Sequence, residues 1–234
     1  MKKVFSVAAL LLALTGSAAA QSWNGFYVGG SGGYGWGTSD QTGLIPPAPT
    51  SPVIPPDDAK INISGGLIGG GLGWNSQYGM WVLGIEGDYS YAAISGRSDN
   101  CGTLPNSCGS RLESFGTVRG RLGVVFDGMM LYGTGGWAFG EVSGFSSAKS
   151  SGNAMYSGWT IGAGIEKHFA PQWSMKFEYL YSDLGDRDLY QANVPGFPEN
   201  VAVKVNTVRL GINYSFQPHI APAAPMVTKS RPLK

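Results

Sequence analysis

Residues 205–216 read VNTVRLGINYSF. Val208, Leu210, Ile212, Tyr214 and Phe216 fall on one face of an extended strand. Thr207, Arg209, Gly211, Asn213 and Ser215 fall on the other. A two-residue period with an apolar face and an arginine-bearing polar face fits a stave of a membrane barrel, one face toward lipid and one toward a polar lumen. A soluble strand can carry the same pattern, so its recurrence and the export route decide.

Export is indicated at the other end of the chain. Lys2 and Lys3 precede an apolar run from Val4 to Leu14, and Ala18 and Ala20 form a small-x-small site. Residues 1–20 therefore read as a cleaved signal peptide, with the mature chain starting at Gln21. The apolar run is too short to cross a bilayer as a helix. About 214 residues remain, enough for one domain. Thirty-seven glycines and 13% charged residues are unusual for a soluble globular chain. They suit closely packed, bending staves with a lipid-facing surface. A net charge of +1 gives no footprint for nucleic acid. Mean hydropathy is near zero because alternation averages out.

Eight alternating segments lie between turn signals, at 25–38, 61–75, 80–93, 111–126, 129–143, 155–169, 173–184 and 200–216. Each reaches the roughly 9–11 residues of a tilted spanning strand. Short connections at Ser76–Gly79, Asp127–Gly128 and Ala170–Gln172 alternate with long ones. The long ones begin with the Pro-rich run from Leu44, then the stretch with the cysteines, then Phe145 to Asn153, then Gly185 to Glu199. Short turns belong to the periplasm and long loops to the cell exterior. Both termini are therefore expected in the periplasm. The fold class is all-β, an antiparallel eight-stranded up-and-down transmembrane barrel over residues 21–216.

Facing follows the period. Trp81, Leu83, Ile85, Tyr89 and Tyr91 are expected outward in the third strand, Val118, Leu122, Val124 and Phe126 in the fourth, Trp159, Ile161 and Ile165 in the sixth, and Trp173, Met175, Phe177 and Tyr179 in the seventh. The second strand, ISGGLIGGGLGW, is too glycine-rich to assign. Trp23, Trp36, Trp74, Trp81, Tyr91, Trp159, Trp173 and Tyr214 lie near strand ends, as aromatic girdles require.

The inward set carries the chemistry. Its acids are Glu86, Asp88, Glu166 and Glu178, and its bases are Arg119, Arg121, Lys176 and Arg209. Eight strands leave an interior just wide enough for side chains to fill. Buried charges must pair, so a ladder of ion pairs is expected, with Thr117, Thr160 and Asn213 in the gaps. Catalysis needs an accessible cleft, which a filled lumen lacks. His168 is placed at the periplasmic end and His219 beyond the last strand, so no Ser-His-acid set forms at the outer rim. Asp183, Asp186 and Asp188 cluster near the fourth loop, either as a solvated rim or as a carboxylate dyad or calcium site. No enzyme, cofactor or metal is expected. Cys101 and Cys108 suggest a local disulfide in an exported chain, with a metal site or free thiols as alternatives.

Several motifs resemble a known family. GWTIGAGIEKHF (158–169), WSMKFEYLYSDLG (173–185) and VNTVRLGINYSF (205–216) look like the closing strands of small OmpA-like barrels of alphaproteobacteria. WNGFYVGGSGGYGWG (23–37) resembles their opening strand, and LYGTGGWAFG (131–140) their fifth. The resemblance implies the outer-membrane immunogenic, or 25/31-kDa outer-membrane, proteins. It implies a structural, surface-exposed barrel with long extracellular loops; the alternatives are a narrow porin-like channel and a surface receptor or adhesin. Some relatives bind haem, but the loops here hold no His. Tyr214 and Phe216 fit the family's C-terminal barrel-assembly signal. The implied partners are outer-membrane lipid and lipopolysaccharide and the barrel-assembly machinery, with the barrel a monomer or weak oligomer. Residues 217–234 carry four prolines, Lys229, Arg231 and Lys234, and no acid. They read as a disordered periplasmic tail, either inert or in contact with peptidoglycan.

Overall fold

A computed structural model of the chain describes residues 22–43, 59–98, 107–146, 149–188 and 199–216. The signal segment, the Pro-rich connection, Cys101, His219 and the tail lie outside the described residues, as does the side chain of Cys108.

Eight strands run in chain order: β1 Gly25–Gly43, β2 Ala59–Tyr78, β3 Trp81–Ser98, β4 Cys108–Phe126, β5 Met129–Ser146, β6 Lys149–Ala170, β7 Trp173–Asp188 and β8 Glu199–Ser215. Each pairs antiparallel with the next, and β1 pairs with β8 to close the barrel. Closure leaves no unpaired sheet edge in lipid, where an unsatisfied backbone group costs several kcal/mol.

The short connections are tight. Asp127 and Gly128 both have positive φ, 48° and 71°, the backbone of a two-residue hairpin turn that favours Asp-Gly. The first turn lies at Gly79–Met80 rather than Ser76–Gly79. Ser76, Gln77 and Tyr78 instead pair with Leu83, Val82 and Trp81. Gly79, with φ 61°, reverses the chain at once.

The strands, 16 to 22 residues long, outrun the bilayer. The third long connection is correspondingly shorter than expected, because Ser143 pairs with Asn153 and Ser146 with Lys149. The fourth does not start at Gly185. A bulge there, with Gly185 at φ 72°, lets β7 resume pairing at Asp186 with Ala202 and continue to Asp188 with Asn200.

An exchange of faces makes this length possible. Along β8, Thr207, Arg209 and Asn213 are buried while Leu210 and Ile212 are exposed. Toward the open connections the inward residues become Val203 and Val201, while outward Lys204 meets solvent. Strand β2 follows suit: Ile61 and Ile63 face in with Lys60 and Asn62 out, then Leu72 and Trp74 face out. The period stays at two, but polar and apolar faces swap at one level. Below it the barrel is built for lipid outside. Above it the barrel is built for water outside.

Exposed aromatics bound the lipid-facing band. Phe26, Trp74, Trp81 and Trp173 mark the short-turn end, and Trp36, Tyr91, Trp137 and Trp159 the other. Trp23 is not among them. It is 5% exposed, folded across the barrel mouth with its ring 4.0 Å from that of His168. It precedes β1, and its backbone N–H donates to Gln77 Oε1 at 2.8 Å, while the Gln77 N–H donates to Asn24 Oδ1 at 2.6 Å. Those bonds turn the segment inward, where Trp23 clusters with Val82, Met130 and Tyr132.

Candidate functional site: the lumen

The lumen holds three layers. The lowest is the cluster around Trp23 and Met130. Above it lies a charged belt, and above that an apolar seal.

Strands β3, β4, β7 and β8 supply most of the belt, at inward positions separated by two. Arg119 is its centre. It pairs with Glu86 at 2.8 Å, Asp88 at 3.0 Å and Glu178 at 2.9 Å. Arg121 pairs with Glu166 at 2.6 Å and Glu86 at 3.3 Å. Lys176 reaches Glu86 at 2.7 Å, and Arg209 reaches Asp88 at 2.7 Å. The structure thus brings all eight inward residues named from the sequence into one network of seven ion pairs. Four acids balance four bases, and every charged group in the belt is at least nine-tenths buried.

Neutral groups complete the belt. The Tyr27 hydroxyl donates to Glu86 at 2.6 Å and accepts from Arg121 at 2.8 Å. The Tyr132 hydroxyl donates to Glu178 at 3.1 Å. Ser174 and Asn213 both donate to Glu166 Oε1, at 2.5 and 2.7 Å. Thr117 donates to Asp88 and accepts from Arg119 Nε. These bonds help the charges remain buried, although Arg121 Nε, Glu178 Oε1 and Arg209 Nε and Nη2 have no hydrogen-bond partner among the described residues. Thr160 lies higher and bonds the Tyr181 carbonyl and Ser182 instead. The sequence reading missed Tyr27 as a belt member. Its signal was present: odd positions of β1 face inward, and Tyr27 is the large one.

The upper seal was also missed. Ile61, Ile63, Leu67, Ile94, Leu112, Phe115, Val142, Tyr156, Leu184 and Val201, Val203 and Val205 form one buried cluster. Arg209 joins the layers, its guanidinium lying 5.1 Å from the Phe115 ring centroid. The expected ladder of ions thus stops at Arg209. Beyond the face exchange no lipid lies outside, and the inward face becomes an ordinary apolar core. A cavity of about 10 Å³ beside Tyr27, Gly71, Asp88, Lys176 and Arg209 is the size of one water.

The remaining expected sites are spread out. Asp183 faces Lys204 at 3.8 Å, and Asp186 accepts from Asn200 at 2.9 Å. Each carboxylate is tied to β8 rather than to its neighbour. Among the described residues no three His, Cys, Asp or Glu side chains gather as a metal site requires. Tyr214 stacks edge-on between Trp173, at 5.0 Å, and Phe216, at 5.3 Å. The Phe216 N–H donates to the Phe26 carbonyl at 3.0 Å, fastening the last strand to the first.

A closed β-barrel with aromatic-bounded apolar exterior and ion-paired lumen defines a transmembrane barrel of the outer-membrane class. Residues 5–216 match the family described as the outer membrane protein beta-barrel domain, and the chain belongs to that family. It is 35% identical to the 31 kDa outer-membrane immunogenic protein of Brucella melitensis biotype 1, over 83% of this chain and 84% of that one. It is 32% identical to the 22 kDa outer membrane protein of Rhizobium leguminosarum bv. viciae, over 84% and 80%. Among solved structures, the outer membrane protein OprG from Pseudomonas aeruginosa aligns with a TM-score of 0.50 at 14% identity, over 82% of this chain and 97% of that one. The outer membrane protease OmpT from Escherichia coli gives 0.51 at 10% identity, over 87% and 100%. These last two likenesses bear on the fold alone. The protein is an outer-membrane β-barrel protein.

Proposed function

We propose that this barrel is a structural, surface-exposed component of the outer membrane, closed to solutes and without catalytic residues. The observation that carries the reading is the double seal. A neutral, hydrogen-bonded belt fills the lumen at the level of lipid, and an apolar layer fills it above. Ions crossing such a path would have to break paired charges and then traverse a dry segment. Planar-bilayer recording of the refolded full chain tests this. The expected result is no stable single-channel current, and a large, steady conductance from the monomer overturns it.

The orientation belongs to the same proposal. Short turns and both termini face the periplasm, and the four open connections face the exterior. Loops are the usual working surface of such a scaffold. Tyr214 and Phe216 present the last strand to the barrel-assembly machinery, and residues 217–234 serve either as an inert tail or as a contact to peptidoglycan. An epitope tag inserted at residue 50 is expected to bind antibody on intact cells. A tag after Lys234 is expected to bind only after the membrane is opened. Deleting the first or fourth connection and measuring host-cell binding separates an adhesin from a purely structural role.

A further inference from the structure

Gly30 and Gly32 face outward on β1, beside Ile68 of β2 and Leu210 and Ile212 of β8. No packing holds them as glycine. A Cβ on Gly30 would lie 3.8 Å from the Gly69 carbonyl oxygen, and one on Gly32 3.7 Å from that of Leu67, both ordinary contacts. Neither has a positive φ. Their inward neighbours differ: a Cβ would come within 2.6 Å of the Ile212 carbonyl oxygen at Gly29, and within 2.2 Å of the Val208 carbonyl oxygen at Gly33. A glycine inside a strand weakens it. So two outward glycines stand in the lipid-facing band where neither sterics nor backbone conformation requires them.

What they form is a groove. It measures about 760 Å³ and runs along β1, with Gly30 and Gly32 as its floor. Val28, Ile68, Leu210 and Ile212 wall it, and Trp173 and Tyr214 close its short-turn end. That volume falls within the usual range of small-molecule sites.

We propose that this groove binds one acyl chain of a glycerophospholipid. Its lining carries no charge, and apart from Ser31 and the rings at its end its side chains are apolar, so it offers mainly dispersion contacts. It lies inside the band that an outer-membrane barrel turns to hydrocarbon, which identifies what covers it. A flexible chain fills an irregular groove, whereas a second barrel would need a matching ridge. Trp173 and Tyr214 lie where a headgroup would meet the interfacial rings. The choice of phospholipid over lipopolysaccharide rests on the orientation proposed above, which places this end in the periplasmic leaflet.

Native mass spectrometry of the full-length protein, extracted from outer membranes in mild detergent, tests the proposal. The expected result is a single phospholipid retained by the wild type and lowered about tenfold in Gly30→Leu/Gly32→Leu. Gly133→Leu, also outward with its Cβ 4.0 Å from the nearest carbonyl oxygen, is expected to retain it. Should the filled groove block assembly, Ile212→Ser gives the same loss by placing a hydroxyl in the wall. A wild type without lipid, or equal retention in all variants, overturns the site. A dimer that dissociates in the groove variants overturns it in favour of a second copy. Retained lipid A in place of phospholipid overturns the source and the orientation together, while leaving the groove occupied by acyl chain.

Discussion

Arg119 on β4 and Glu178 on β7 meet across the lumen at 2.9 Å, joining walls three strands apart. The long, forked arginine side chain spans that gap while also holding Glu86 and Asp88. Arg119→Ala would leave three buried carboxylates short of a partner. The expected cost is about 3–5 kcal/mol, read from urea unfolding of the barrel in phospholipid vesicles. A loss near the roughly 0–1 kcal/mol of a surface pair would mean that water screens the belt.

The two seals act in series. Opening one is therefore expected to leave the barrel closed. Ile94→Ala with Phe115→Ala thins the apolar layer but leaves the belt, so bilayer recordings should stay silent. Adding Arg119→Ala to that pair is expected to produce small, brief currents. Conductance from the apolar-layer variant alone would show that the belt is no barrier.

Aromatic rings lie over glycines on paired strands, and the neighbours decide what each glycine tolerates. The nearest atoms to a Cβ on Gly116 would belong to side chains, Phe139 at 2.5 Å and Tyr89 at 3.1 Å. A Cβ on Gly73 would meet Tyr27 at 2.4 Å and also the Ile85 carbonyl oxygen at 2.7 Å. Both alanine variants are expected to lose about 1–3 kcal/mol through overpacking. Phe139→Leu should recover much of the loss at Gly116, because the obstacle is movable. Truncating Tyr27 should not recover Gly73→Ala, because the backbone remains. Equal recovery in both double variants would refute this account.

The exchange of faces predicts opposite tolerances six residues apart on one strand. Leu210→Lys puts a charge into the lipid-facing band, at an expected cost of about 2–4 kcal/mol near the midplane. Lys204→Leu, outward but above the band, is expected to change stability little, since its 3.8 Å pair with Asp183 is half-exposed. Urea midpoints of the two variants check the difference.

Much of this was legible in the residues. Strong period-two alternation in β3, β4, β6, β7 and β8 set strand number, facing and the eight charged belt members. Asp127–Gly128 announced its turn through chemistry alone. The misses have physical causes. Glycine carries no facing signal, so β2 stayed unassigned until pairing placed Ile61 inward and Leu72 outward. Trp23 resembles a girdle residue in sequence, and only its hydrogen bonds to β2 turn it into the mouth. The apolar seal escaped because Val201, Val203 and Val205 continue the inward face of a strand whose lower half is polar there. A search for one amphipathic pattern ends where polarity reverses, and so it ended every strand but β8 too early at the open end.

That reversal also has a mechanical side. The wall that stands in water and the wall that stands in lipid are the same eight strands, with no linker between them. Between β1 and β8 the hydrogen-bonded ladder runs unbroken past the level of exchange, from Tyr214 to Val201, whereas β3–β4, β4–β5 and β7–β8 each shift register near it. A force applied at the open end of β8 therefore meets no break along its seam with β1. It passes down that seam to Arg209, whose pair with Asp88 hands the load to the Arg119 belt in the membrane-embedded half.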